Sequence, residues 1–265
     1  MGESAVLQAT AVIQARMSST RLPGKALMTV DGLPLLRIQI ERLKRSDRIE
    51  RVVVATTTDP VDDGIVETVS AQGVSVCRGD EDDVLNRYYQ CAHALKATVV
   101  MRLTGDCPLV DPAVCDAVVA LFEEKEADYA STAPSFAEGL DCEVFRFEAL
   151  AEAWRNARLA SEREHVTLYI RSHAERFKIV ALENHADESA FRLTVDEPQD
   201  FTVVASILRA LTPTHGLHFP YAKAIAYLKN HPEIMAVNAH IVRNEGLLKS
   251  LSQDRVVELP AAGDG

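Results

Sequence analysis

Three features of the sequence predict an α/β fold with a mostly parallel sheet laid between helices. Short β-branched runs recur along the chain, amphipathic stretches of helical period alternate with them, and Asp-Pro pairs stand where helices would begin. Ala9 to Gln14 reads as the first strand and runs into a polar loop. Pro34 to Ser46 reads as a helix, with Leu33, Leu36, Ile40 and Leu43 on one face. Arg51 to Ala55 (R-V-V-V-A) is a buried strand, and Asp59-Pro60 opens a helix to about Gln72. Val74 to Cys77 is a short strand, Asp82 to Leu95 a helix, and Thr98 to Leu103 a further buried strand. Asp111-Pro112 starts a helix to about Lys125.

Past Ala127 the alternation breaks. Cys142 to Phe145, Phe177 to Leu182 and Phe191 to Val195 read as strands, some of them antiparallel. Ser161-x-x-Glu164 reads as a capping box for a helix through His173, and Pro198 to Leu211 as another helix. No repeat or low-complexity linker divides the chain. Residues 1–245 therefore read as one domain with an arm at about 130–195, followed by a tail, 246–265, whose last residues (L-P-A-A-G-D-G) read as disordered.

The 265 residues are 47% hydrophobic and 25% charged, enough to build one sizeable core. No apolar run nears the ~20 residues that span a bilayer, and no signal peptide is evident. Five cysteines without a C-x-x-C pair argue against a disulfide framework or a zinc site and for a reducing, cytoplasmic setting. A formal net charge of -11 disfavours nucleic acid and anionic membranes as partners. An anion would need a local cationic cluster, and Arg16 to Lys25 holds three cations and no acid.

In such sheets ligands sit beyond the carboxyl ends of the strands. Two segments land there. The first is Gln14 to Lys25, Q-A-R-M-S-S-T-R-L-P-G-K, where small and hydroxylated residues let backbone N–H groups approach phosphate oxygens while Arg and Lys neutralise them. A solvated loop with chance cations is the competing reading. The second is Arg102 to Leu109, R-L-T-G-D-C-P-L, where Asp106 ends a strand as a metal-holding aspartate would; a capping turn is the alternative. Downstream, T-V-D-E-P-Q-D offers Asp196 and Asp200, one as a helix cap and the other to join Asp106.

These segments, with R-E-H-V-T at Arg163 to Thr167, resemble the cytidylyltransferases that make CMP-sugars, the CMP-Kdo synthetase and acylneuraminate cytidylyltransferase group, and in particular its spore coat polysaccharide biosynthesis protein F branch. The resemblance covers roughly residues 9–210. It implies a Rossmann-like nucleotide-diphosphosugar transferase fold and an enzyme that passes CMP from CTP to a sugar acid, releasing pyrophosphate. It places Arg16 and Lys25 on the CTP phosphates, with Ala15, Ser18, Arg21 and Thr104 completing the nucleotide site and Arg78 near base or ribose. Asp106 and Asp196 match the carboxylates for Mg²⁺, and Lys25, Arg16 and Asp106 form the catalytic set. Asp141 and Glu143, in G-L-D-C-E, match the sugar contacts. Arg163 and His165 fall in the family's R-E-H-V-T segment and are read with the sugar, against the alternative of ordinary helix residues. Relatives are commonly homodimers. Thr104 stands where the Kdo enzymes carry a base-reading glutamine, so the base stays open, with Arg102 as a substitute. A glycosyltransferase using Asp80-Glu81-Asp82, a nucleotide-binding protein without turnover, and a molybdopterin-type nucleotidyltransferase are the competing readings.

Overall fold

In the computed structural model, residues 6–257 are described; the last residues, read above as disordered, lie outside them. Strand β1 (Ala9–Gln14) leads through the polar loop and a single 3-10 turn (Lys25–Leu27) to a small hairpin of β2 (Thr29–Val30) and β3 (Leu33–Pro34). Then follow α1 (Leu35–Leu43), β4 (Ile49–Thr57), α2 (Asp63–Ser70), β5 (Ser75–Gly79), α3 (Val84–Ala94), β6 (Val99–Thr104) and α4 (Pro112–Glu124). The second half runs β7 (Tyr129–Thr132), β8 (Glu143–Arg146), α5 (Phe147–Asn156), α6 (Ala160–Glu164), α7 (Leu168–Ser172), β9 (Ile179–Leu182), α8 (Pro198–His215), α9 (Tyr221–Asn230), α10 (Pro232–Met235) and α11 (Glu245–Ser252).

One seven-stranded sheet has the order β5-β4-β1-β6-β8-β7-β9, and β8 alone runs against its neighbours. The alternation of the strands explains the layering. In β1, Ala11 and Ile13 face a cluster with Leu36, Ile40 and Leu43 of α1 and Phe122 of α4, whereas Val12 faces Leu85 and Tyr88 of α3 and Leu150 of α5. A third cluster beyond the sheet end joins Leu35 and Ile38 to Leu193, Val203, Ile207 and Phe219. That cluster seats the 190s segment.

The expected Asp caps are present: Asp59 accepts from Val61 N–H at 2.9 Å and Asp111 from Ala113 N–H at 2.9 Å. The second half departs from expectation. The helix expected through His173 is broken into α6 and α7 at Val166, whose φ is 53°. Ser161 caps nothing; its hydroxyl donates to Asp254 at 2.6 Å, and Glu162 instead accepts from Leu159 N–H at 3.0 Å. Phe191 to Val195 is not a strand: a lone bridge joins Arg192 to Glu138, because this segment lies against a loop instead of a sheet edge. The segment taken as a tail begins with α11 and continues as backbone contacts, Ala160 N–H to the Arg255 carbonyl at 2.8 Å and Val257 N–H to the Arg158 carbonyl at 2.8 Å. No helix among the described residues is long and apolar enough to cross a membrane.

Candidate active site

Strands β1 and β6 are neighbours with Gln14 opposite Thr104, so the loops after them leave the sheet side by side. Gly105 N–H donates to the Gln14 carbonyl at 2.8 Å. A Cβ on Gly105 would stand 2.9 Å from that oxygen and from Ala15 Cβ, so a side chain there would force the loops apart. The first loop then turns through Gly24, at φ 74°, and presents Lys25 to Asp106.

Asp196 reaches the same place from far along the chain. Leu193 N–H donates to the Glu138 carbonyl at 2.7 Å and Val195 N–H to the Asp106 carbonyl at 2.8 Å. At the crossing, Gly139 has φ 99°, and a Cβ there would lie 2.5 Å from Thr194 N. Arg192, only 6% exposed, braces the segment by donating to Asp200 Oδ1 at 2.8 Å, to Asp196 Oδ2 at 3.1 Å and to Glu138. Asp200 also accepts from the Asp196 and Glu197 N–H groups at 3.0 Å each, as the N3 member of the capping box that Glu197 opens on α8. Asp196 is thus the member of the pair left for the cavity.

Lys25 Nζ lies 2.7 Å from Asp196 Oδ1 and 3.0 Å from Asp106 Oδ2. Burial lowers the Lys25 pKa, but the two carboxylates outweigh it and hold it raised. Burial likewise works against the Asp106 carboxylate, while Lys25 and Thr104 hold it well below the usual range. Arg21 bridges Asp196 at 3.2 Å, Glu197 at 3.6 Å and Glu245 of α11 at 3.1 Å. Arg16 pairs with Glu81 at 3.2 Å.

Two cavities, of about 460 and 920 Å³, share walls at this point. Arg21, Arg102, Thr104, Asp106, His165 and Asp196 line both. The larger holds Ala15, Arg16, Ser19, Thr20 and Lys25 of the loop after β1. The smaller holds Asp141 and Glu143. Glu143 accepts from Arg102, from Tyr129 and from Thr167 Oγ1 at 2.6 Å, and Arg171 stands 4.0 Å away. Burial raises its pKa, yet Arg102 and Arg171 hold it below the ordinary value. Asp141 accepts from Gly139 N–H at 2.8 Å and from Arg243 at 3.1 Å. His165 caps the C-terminus of α6, with Nε2 buried and without a hydrogen-bond partner among the described residues; burial, helped by Arg102 and Arg171, depresses its pKa against the pull of Glu164, 3.8 Å away.

Ala15, Arg16, Arg21, Lys25, Thr104, Asp106, Asp141, Glu143, His165 and Asp196 therefore converge on adjoining cavities. Three expected residues do not. Arg78 is spent on the edge of the sheet, donating to the Thr57 and Asp59 carbonyls at 2.7 and 2.8 Å and to Asp63 at 2.7 Å. Arg163 is buried between α6 and α3, clamped on Asp83 and on the Trp154 carbonyl at 2.8 Å, so it holds the fold and lines neither cavity. Ser18 donates to Glu81. Asp80-Glu81-Asp82 is likewise committed: Asp80 Oδ1 accepts from the Asp82 and Asp83 N–H groups at 2.8 Å each, and Glu81 takes Arg16. Arg102, considered above as a base reader, is occupied by Glu143 and by Gln14 Oε1 at 3.2 Å.

Sequence reasoning passed over Arg87 of α3, Arg192, and the C-terminal residues Glu245 and Lys249, all of which line the cavities. Arg87 lies inside a helix of mixed polarity, where nothing in the spacing marks it. Lys249 lay in what read as a tail, and Glu245 at the boundary just before it.

A family model described as Cytidylyltransferase matches residues 10–246. The chain is 36% identical over 206 residues to spore coat polysaccharide biosynthesis protein SpsF of Bacillus subtilis, covering 74% of this chain and 84% of that protein. A shorter match, 36% over 120 residues, is to 3-deoxy-manno-octulosonate cytidylyltransferase of Geobacter sulfurreducens, covering 44% of this chain and 46% of that one. Among solved structures, a cytidylyltransferase from Leptospira borgpetersenii superposes with a TM-score of 0.82 at 35% identity, over 86% of this chain and 97% of that chain.

Proposed function

The chain belongs to the cytidylyltransferase family, and from that premise we propose that it transfers CMP from CTP to a sugar acid, releasing pyrophosphate, in the assembly of a polysaccharide or other glycan. The observation that carries this reading is Lys25, held at 2.7 and 3.0 Å between Asp196 and Asp106 where the two cavities adjoin.

On this reading the larger cavity takes the nucleotide and the smaller the sugar. A sugar hydroxyl attacks the α-phosphorus at the junction; the new O–P bond forms as the bond to the β-phosphate oxygen breaks. Little covalent work falls to the protein, so positioning and charge dominate. Lys25, Arg16 and Arg21 offset the charge that grows on pyrophosphate. Each is paired with carboxylates in the structure, so binding of the triphosphate exchanges internal acids for phosphate oxygens. Asp141 and Glu143 orient sugar hydroxyls, and His165, neutral near pH 7, offers an imidazole at the border.

The donor set fits a Mg²⁺ ion. Asp106 and Asp196 converge on one cationic point, now taken by the Lys25 ammonium. No cluster of three or more metal-ligating side chains exists among the described residues, so nucleotide phosphates would supply the remaining oxygens, as magnesium prefers. When bound there, Mg²⁺ would neutralise phosphate charge.

A cytoplasmic setting accords with the five free cysteines. A homodimer is part of the same reading, checked by light scattering. The function itself is tested by incubating the protein with CTP, Mg²⁺ and a panel of sugar acids and following pyrophosphate. Release that needs both CTP and one of the acids supports the proposal; consumption of a preformed nucleotide-sugar instead would overturn it.

A further inference from the structure

Nine-tenths of Arg87 and more is buried: it is 3% exposed, yet it lines the larger cavity. Its Nη1 donates to the Asp80 carbonyl at 2.6 Å, while Nε is buried with no hydrogen-bond partner among the described residues. A buried guanidinium nitrogen without an acceptor is costly. An acceptor that arrives with the ligand removes that cost.

The stem is fixed as well as the head. Gly79 ends β5 beneath it, and a Cβ there would lie 3.1 Å from Arg87 Cγ and 3.3 Å from its Cβ. The same cavity is lined by Ser19, Thr20 and Lys25 of the loop after β1 and by Ala15, Val84 and Arg87. Neither Val84 nor Arg87 touches the smaller cavity. The hydroxyls and cations among these residues suit a triphosphate, and the fixed guanidinium suits a planar group that carries acceptors.

We propose that Arg87 is a specificity-determining residue that reads the acceptor edge of cytosine and so selects CTP over UTP. The proposal rests on the nucleotide reading above. The Nε–Nη2 edge of a guanidinium carries two parallel N–H donors. Cytosine offers adjacent acceptors, N3 and O2, to such a fork. Uracil carries a hydrogen on N3, which would face a donor. A fork of this kind supplies the base contact that Thr104 cannot make in place of glutamine and that Arg102, tied to Glu143, is not free to make.

The test is calorimetric titration of wild type, Arg87→Lys and Gly79→Ala with CTP, UTP and inorganic tripolyphosphate, after thermal melts establish that each variant is folded. Wild type should bind CTP about tenfold or more tighter than UTP. Arg87→Lys keeps the charge but loses the fork, so the CTP:UTP ratio should fall toward one with tripolyphosphate binding unchanged. Gly79→Ala, which displaces the arginine without removing it, should lower the ratio in the same direction. A wild-type preference that survives in Arg87→Lys overturns the assignment while leaving the CTP reading intact. Parallel loss of tripolyphosphate binding also overturns it, placing Arg87 on the phosphates. A wild type that binds tripolyphosphate but does not prefer CTP overturns the cytidine reading itself.

Discussion

The ammonium of Lys25 donates to the Asp196 carboxylate at 2.7 Å, joining a loop near the start of the chain to a segment 171 residues later. With Asp106 at 3.0 Å, this cation joins two partly buried carboxylates, of which Asp196 is also paired with Arg21 and Arg192. Lys25→Met removes the cation paired with Asp106 and leaves that carboxylate beside Asp196, at a cost of roughly 3 kcal/mol at neutral pH. The pH dependence follows from the directions of the shifts. Asp106 is depressed, so its pairing contributes stability above the unfolded carboxylate value of about 4 and loses it as pH falls toward the folded value. Lys25 is raised, so its share is present below its unfolded value and is lost as pH rises through the folded one. Urea denaturation should therefore find the largest gap between wild type and variant between about pH 5 and pH 9, closing as pH falls below 4. A gap that widens in acid contradicts the pairing.

Asp106→Asn tests the same cluster chemically. The backbone of Asp106 holds the 190s segment through the Val195 N–H and the Thr194 hydroxyl, and neither contact uses the carboxylate. The variant should fold, melt within a few degrees of wild type, and lose turnover by at least about a hundredfold. Near wild-type rates with Mg²⁺ present would remove Asp106 from the metal site.

The first half of this site was legible because it is local. Strand, polar loop and Asp106 follow one another with the period and turn residues of a parallel sheet, and the register of Gln14 with Thr104 does the rest. Asp196 was legible as one of two candidates only. What separates it from Asp200 is the burial of Asp200 against Arg192, which is itself held by Glu138 on a different loop. Arg163 misled for the opposite reason: an arginine in a family segment looks like a ligand contact until Asp83, 80 residues away, is seen to clamp it. The break in the helix at Val166 and the docking of residues 254–257 on α6 depend on tertiary contacts that periodicity does not carry.

Arg192→Met probes that anchoring. Burial alone would lower the arginine's pKa, but Asp200 and Glu138 keep it raised, and Asp200 has no exposed surface. Removing the guanidinium leaves buried carboxylates unpaired, and chemical denaturation should show a loss of about 3–5 kcal/mol. Arg192→Lys restores the charge but not the fork, and should recover part of it. A neutral result for the methionine variant would show that the network does not hold Asp196 in place.

Gly139→Ala should fail more sharply than an average loop substitution. The residue sits at φ 99°, and its new Cβ would lie 2.5 Å from the backbone nitrogen of Thr194, which cannot swing away as a side chain does. Both strain and overlap oppose it, so the loss should exceed about 1 kcal/mol. The same turn holds Asp141, which lines the smaller cavity, so on the proposed assignment of that cavity the KM for the sugar should rise more than the KM for CTP. Equal changes in both would separate Asp141 from the sugar.

The C-terminal helix bears on how the nucleotide enters and leaves. α11 carries no buried residue, yet Glu245 and Gly246 line both cavities, and Lys249 lines the larger. Its ends are tied down, by Arg243 to the Pro134 and Phe136 carbonyls at 2.8 and 2.9 Å and by Asp254 to Ser161 at 2.6 Å. A segment anchored at both ends and unburied between them opens at low cost. Truncation after Asn244 removes the helix and its second anchor while leaving the sheet and the three clusters whole. The truncated chain should stay folded by circular dichroism. In stopped-flow measurements with a fluorescent cytidine nucleotide, its dissociation rate should rise several-fold, since Lys249 and the part of the larger cavity's wall that α11 supplies are gone. Glu245→Gln, which frees one side of Arg21 and keeps the helix, should instead slow dissociation. If both variants release the nucleotide at the wild-type rate, α11 plays no part in holding it.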